Sequence, residues 1–122
     1  MILVVDDDPL VRAAISRAVV ELGYRVVEAG DGAAALAAIA EGGVTLVILD
    51  YVMPDMDGAE VARAIAEIDP DLPLVFSTGH AALRALRSAA GDDVEILEKP
   101  FTLDELETLL TERLAERRRR LA

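Results

Sequence analysis

The chain has 122 residues, 53% of them apolar, and a formal net charge of −11. That is the length of one ordinary domain, with enough apolar material for a core. Cysteine is absent, which excludes disulfides and thiolate metal sites, and no apolar run of about 18 residues is present to span a membrane as a helix.

Apolar runs alternate with helical patterns along the chain. Ile2–Val5 is wholly apolar, as expected of a strand buried on both faces. Asp8-Pro9 supplies an N-cap and a first helical residue. The helix that follows carries Leu10, Ala14, Ala18 and Leu22 on one side and stops at Gly23. Residues 24–29 are predicted as a second strand. Asp31 caps an alanine-rich helix that ends at Gly42-Gly43. A third buried strand is predicted over 44–49, ended by Asp50, and 53–58, with Pro54 and Gly58, is predicted as a loop. A helix then runs to about Ile68 and is closed by Asp69-Pro70. Strand four is predicted over 72–76, a helix over 81–90 ending at Gly91, and strand five over 94–97. Thr102 opens the last helix, with Glu105 completing a capping box. Five strands alternating with five helices predict an α/β fold: a doubly wound parallel sheet of (βα)5 type, with right-handed crossovers and one domain over 1–122.

In an open sheet of this kind ligands bind beyond the carboxyl ends of the strands. Those ends carry Asp6-Asp7, Asp50, Ser77-Thr78-Gly79 and Glu98-Lys99-Pro100. Three carboxylates, a hydroxyl and an ammonium are therefore expected to converge on one edge. Lys99 is the single lysine among 12 basic residues. Asp8 is expected to act as a cap, and Asp57 beside Gly58 as turn and cap. Clustered carboxylates repel and raise one another's pKa, so the cluster calls for a cation. An all-oxygen donor set suits a hard ion such as Mg²⁺.

These segments resemble a known family. Ile-Leu-Val-Val-Asp-Asp-Asp-Pro at 2–9, Leu-Asp-Tyr-Val-Met-Pro-Asp-Met-Asp-Gly at 49–58, Ser-Thr-Gly at 77–79 and Glu-Lys-Pro-Phe at 98–101 are similar, in order and spacing, to the motifs of response-regulator receiver domains. The resemblance implies the flavodoxin-like strand order 2-1-3-4-5. It implies that Asp50 accepts a phosphoryl group from a histidine kinase or a histidine phosphotransfer protein. It assigns Mg²⁺ to Asp7, the Asp50 carboxylate and the Val52 backbone carbonyl, with Asp6 helping to hold the ion. Lys99 would pair with one phosphoryl oxygen and Thr78 with another, Gly79 would leave room for the group, and the Lys99–Pro100 bond would be cis. The implied protein is a phosphorylation switch with weak self-catalysed phosphorylation and dephosphorylation, not a turnover enzyme.

The chain departs from the family pattern at Ile96, where many receivers carry Tyr or Phe three residues before the lysine. Val52 and His80 occupy positions that in the family influence phosphate lifetime; His80 is otherwise expected as a loop residue at a helix start. The arginines at 117–120 complement a helix C-terminus, and an acidic domain of this charge is not expected to bind nucleic acid directly. With no leader expected ahead of the first strand, the cytoplasm is the expected location. No output domain is expected within the chain, so its effect would pass through a downstream protein or a fused domain. A dimer could form through the surface of helix four, strand five and helix five. A free-standing regulator and the receiver of a hybrid kinase both fit. An aspartyl-phosphate phosphatase is disfavoured because Asp6 and Asp7 are adjacent instead of two apart. A flavin-binding domain is disfavoured because the loop after strand one is acidic.

Overall fold

The computed structural model describes residues 1–54, 57–91 and 93–121; the middle of the predicted 53–58 loop lies outside them. Its elements are β1 (Ile2–Val5), α1 (Pro9–Glu21), β2 (Val26–Ala29), α2 (Gly32–Ala40), β3 (Leu46–Asp50), α3 (Gly58–Ile68), β4 (Leu74–Gly79), α4 (Leu83–Ala90), β5 (Glu95–Lys99) and α5 (Leu103–Leu121). All neighbouring strands pair in parallel, in the order 2-1-3-4-5. Among the described residues no helix is long and apolar enough to cross a membrane.

Strand alternation splits the core in two. Leu3, Val5, Val47, Leu49 and Phe76 pack with Ala35, Ile39, Val61, Ile65 and Leu86 of α2, α3 and α4. Ile2, Val4, Leu46, Ile48, Val75 and Leu97 pack with Ile15 and Val19 of α1 and with Leu106 and Leu110 of α5. Helices thus cover both faces, and β1 and β3, central in the sheet, are buried at every residue.

The caps follow the sequence. Asp8 accepts from Leu10 and Val11 N–H, Asp31 from Ala34 N–H and Asp57 from Ala59 N–H. Thr102 and Glu105 exchange hydrogen bonds as a capping box. Gly23, at φ +98°, turns the chain out of α1.

Several boundaries and one face differ from expectation. Leu10 is 81% exposed, and α1 buries Ile15, Ser16 and Val19 instead of the row through Leu10 and Ala14. β2 starts only at Val26, because Tyr24 N–H is tied back to the Val19 carbonyl of α1. β3 starts at Leu46 and includes Asp50. β4 begins two residues later than predicted and runs to Gly79, since pairing of Ser77, Thr78 and Gly79 with Leu97, Glu98 and Lys99 extends both strands at their carboxyl ends. A 3-10 turn over His80–Ala82 precedes the shorter α4.

Candidate functional site

Register brings the acidic residues together. Val5 pairs with Leu49, so the residues that follow, Asp6 on one strand and Asp50 on the next, emerge side by side at the carboxyl edge. Carboxylate oxygens of Asp6, Asp7 and Asp50 all lie within 4.8 Å of one another. Asp6 is buried and its Oδ1 accepts from Asp8 N–H at 3.0 Å, which fixes the carboxylate as the chain turns into α1. Asp50 is buried as well and accepts from Val52 N–H at 3.3 Å, while Asp7 faces solvent.

Lys99, the last residue of β5, reaches across the sheet edge. Its Nζ stands 3.2 Å from Asp6 Oδ2 and 3.6 Å from Asp50 Oδ1. A cis bond joins it to Pro100, as the resemblance implies. Thr78 is buried, with its Oγ1 turned to the Gly79 carbonyl at 3.5 Å. Beside it Gly79 borders open space, and a Cβ there would meet nothing within 4 Å. His80 Nδ1 lies 3.2 Å from Glu98 Oε1, outside the acidic cluster.

The electrostatics suit a cation-binding site. Burial pushes the Asp50 carboxyl up from 3.8 to about 6, and Asp6 and Asp7 push the same way, against the opposing pull of Lys99 and Val52 N–H. One ammonium thus leaves three carboxylates incompletely neutralised. Their chemistry, oxygen donors at an open edge, fits a small hard divalent cation that keeps some of its water.

Sequence reasoning missed two contributors. Arg12 donates to the Asp6 backbone carbonyl at 2.8 Å and pairs with Glu28 at 3.0 Å, so it steadies the end of β1 from behind. Its signal, a cation one turn after the Asp8 cap, is too common to be read alone. Tyr51 Oη donates to the Ala85 carbonyl of α4 at 3.3 Å, a contact that no spacing rule connects to residue 51.

The sequence profile of the response regulator receiver domain matches residues 2–111. The chain belongs to the response regulator receiver family. A similar receiver is the response regulator receiver protein CpdR of Brucella abortus, 43% identical over 107 residues, covering 86% of this chain and 88% of that protein. The sensor kinase CckA of the same organism is 37% identical over 116 residues; the match takes in 93% of this chain but 12% of the kinase. Among solved structures, the receiver domain of NtrX from Brucella abortus superposes with a TM-score of 0.86 at 31% identity, covering 94% of this receiver and 98% of that chain. Receivers of this family are response-regulator modules of two-component systems.

Proposed function

We propose that this receiver accepts a phosphoryl group on Asp50 from the phosphohistidine of a histidine kinase or a histidine phosphotransfer protein, and that its whole length, 1–122, forms one such domain. The observation that carries the reading is the single edge at which Asp6, Asp7, Asp50 and Lys99 meet. An Asp50 oxygen attacks phosphorus; the new P–O bond forms as the donor's P–N bond breaks, and the imidazole leaves with that electron pair and then takes up a proton. Asp7, the Asp50 carboxylate and the Val52 carbonyl would hold Mg²⁺, with Asp6 supporting the ion. The ion supplies charge neutralisation between a carboxylate and an anionic phosphoryl group that otherwise repel. Lys99 moves from its carboxylate partners to a phosphoryl oxygen as a point charge. Thr78 turns its hydroxyl from the Gly79 carbonyl to a second oxygen.

The donor would dock over the site mouth, where Leu10 and Val52 stand 81% and 58% exposed beside the acids. Water would later hydrolyse the acyl phosphate, so the protein is a timed switch and not a turnover enzyme. Its output would be a downstream protein or a fused domain that senses the surface of α4, β5 and α5, which could also pair two copies. Cytoplasmic location, without direct contact to nucleic acid, follows from the same role and the net charge of −11.

Intact mass after incubation with acetyl phosphate and Mg²⁺ tests the acceptor. Wild type is expected to gain one phosphoryl group and Asp50→Asn none; equal labelling of both would overturn the assignment. Asp7→Ala is expected to weaken Mg²⁺ binding strongly in a titration followed by amide shifts. An unchanged affinity would move the ion elsewhere.

A further inference from the structure

Tyr51 follows Asp50 directly, and its backbone is held on two sides. Its N–H donates to the Ser77 carbonyl of β4 at 3.2 Å, and its own carbonyl accepts from Gly58 N–H at 3.3 Å. Gly58 presses so close that a Cβ there would stand 2.8 Å from Tyr51 Cα and 3.2 Å from the Asp50 carbonyl oxygen. The two residues therefore move together: a shift of Asp50 carries Tyr51 with it. The half-buried Tyr51 ring meets Phe76 edge to face, centroids 6.1 Å apart at 84°. Its hydroxyl then donates to the Ala85 carbonyl inside α4 at 3.3 Å.

Phe76 has Leu49 of β3 as its register partner on one side and Ile96 of β5 on the other. Ile96 is a hydrocarbon, so on the β5 side displacement passes only through packing. On the β3 side Tyr51 adds a directional bond to the helix. A bound group shifts a two-state equilibrium only through contacts that differ between the states. A hydroxyl bond of 3.3 Å at an exposed rim is long, and small helix movements make or break it.

We propose that Tyr51 is the positioning residue that couples the state of Asp50 to α4, through its ring against Phe76 and its hydroxyl on Ala85. This rests on Asp50 being the phospho-acceptor. Tyr51 touches no reacting atom; it transmits. The helix it grips carries the Arg84 and Arg87 side chains, so its shift alters what α4 presents to a partner.

The test is amide NMR of residues 83–90 on adding beryllofluoride with Mg²⁺, a mimic of the phosphoryl group, to wild type, Tyr51→Phe and Tyr51→Leu. Tyr51→Phe keeps the ring and deletes only the hydroxyl. It is expected to lose the α4 response while residues 6, 7, 50 and 99 still shift, acetyl phosphate still labels the protein, and the thermal midpoint stays close to wild type. Tyr51→Leu is expected to lose the response and also to melt earlier. An α4 response of wild-type size in Tyr51→Phe would overturn the coupling role. Loss of labelling in Tyr51→Phe would overturn it too, by placing the tyrosine in the transfer chemistry itself. Failure of wild type to take label is a different result: it removes the phospho-accepting reading before any Tyr51 variant is compared.

Discussion

Asp50 is the residue at which the fold works against itself. Its carboxyl sits at about 6 in the folded chain against 3.8 for the free group, chiefly because it is buried. A raised carboxyl pKa means that the folded state holds the proton more tightly. The associated stability is therefore present below about pH 4 and is lost as pH rises through about 6. Roughly two pKa units correspond to at most about 3 kcal/mol. In metal-free buffer at pH 7.5, urea unfolding is expected to find Asp50→Asn more stable than wild type by up to that amount, with the gap closing toward pH 4. Adding Mg²⁺ at pH 7.5 is expected to narrow the gap by stabilising wild type alone. A wild type that matches or exceeds Asp50→Asn without the ion would contradict the assignment of burial as the dominant influence. At this scale the sequence was legible wherever a charged residue ended an apolar run, as with Asp6, Asp50 and Lys99. Arg12 and Tyr51 were not legible, because their partners, the Asp6 and Ala85 carbonyls, become neighbours only when elements pack.

Among the elements, the central strands were legible and the edges of the helical layer were not. β1 is apolar throughout and β3 is apolar up to its last residue, Asp50, because both faces are covered, and that pattern has no rival. α1 has Ala at 13, 14 and 18 among larger residues, which leaves several candidate rows; packing chose the one through Ile15 and Val19. β4 was placed too early because Ser77-Thr78-Gly79 has turn composition, while the ladder to β5 overrides it. That extension bears on the proposed switch, in which Thr78 would leave a buried position in a strand to reach a phosphoryl oxygen. Thr78→Ala is expected to uncouple beryllofluoride binding from amide shifts across 81–110. Wild-type shifts in that variant would free the threonine of this role. Ile96→Ala, by contrast, is expected to cost about 2 kcal/mol, the low end for such a truncation, because Ile96 is only partly buried. Thermal denaturation checks this, and a variant that lost the beryllofluoride response at unchanged stability would assign Ile96 more than packing.

For the molecule as a whole, charge is the governing feature. The 23 acids face 12 bases, and the net −11 makes the compact state repel itself. Screening within about 10 Å at 0.1 M salt relieves part of this. Moving from low salt to that ionic strength is expected to stabilise the fold by on the order of 1 kcal/mol, about 4 °C in thermal midpoint for a domain of this size. A midpoint that falls with NaCl would mean that attractive pairs outweigh the repulsion. Besides Arg12 with Glu28, such pairs include two on the far half of α5, beyond the family match: Arg113 holds Glu95 at 2.8 Å and Arg117 holds Asp69 at 3.1 Å. The arginines at 117–120 read in sequence as a cationic helix end, but Arg117 is only 15% exposed and bridges to the end of α3.

Lys99 is the chain's one lysine, and its Nζ stands between Asp6 and Asp50. Among side chains, reagents aimed at amines therefore have a single address, and the Met1 α-amine is the other target in the chain. Reductive methylation or an activated ester, which on most proteins decorates the whole surface, is confined here to these two nitrogens, Lys99 Nζ and the Met1 α-amine. An isotope-labelled methyl placed on the lysine nitrogen is an NMR probe lying against the Asp50 carboxylate. The same arrangement cuts the other way: dye coupling or surface immobilisation through lysine alters the pocket itself, so affinities measured on such a preparation describe a damaged site.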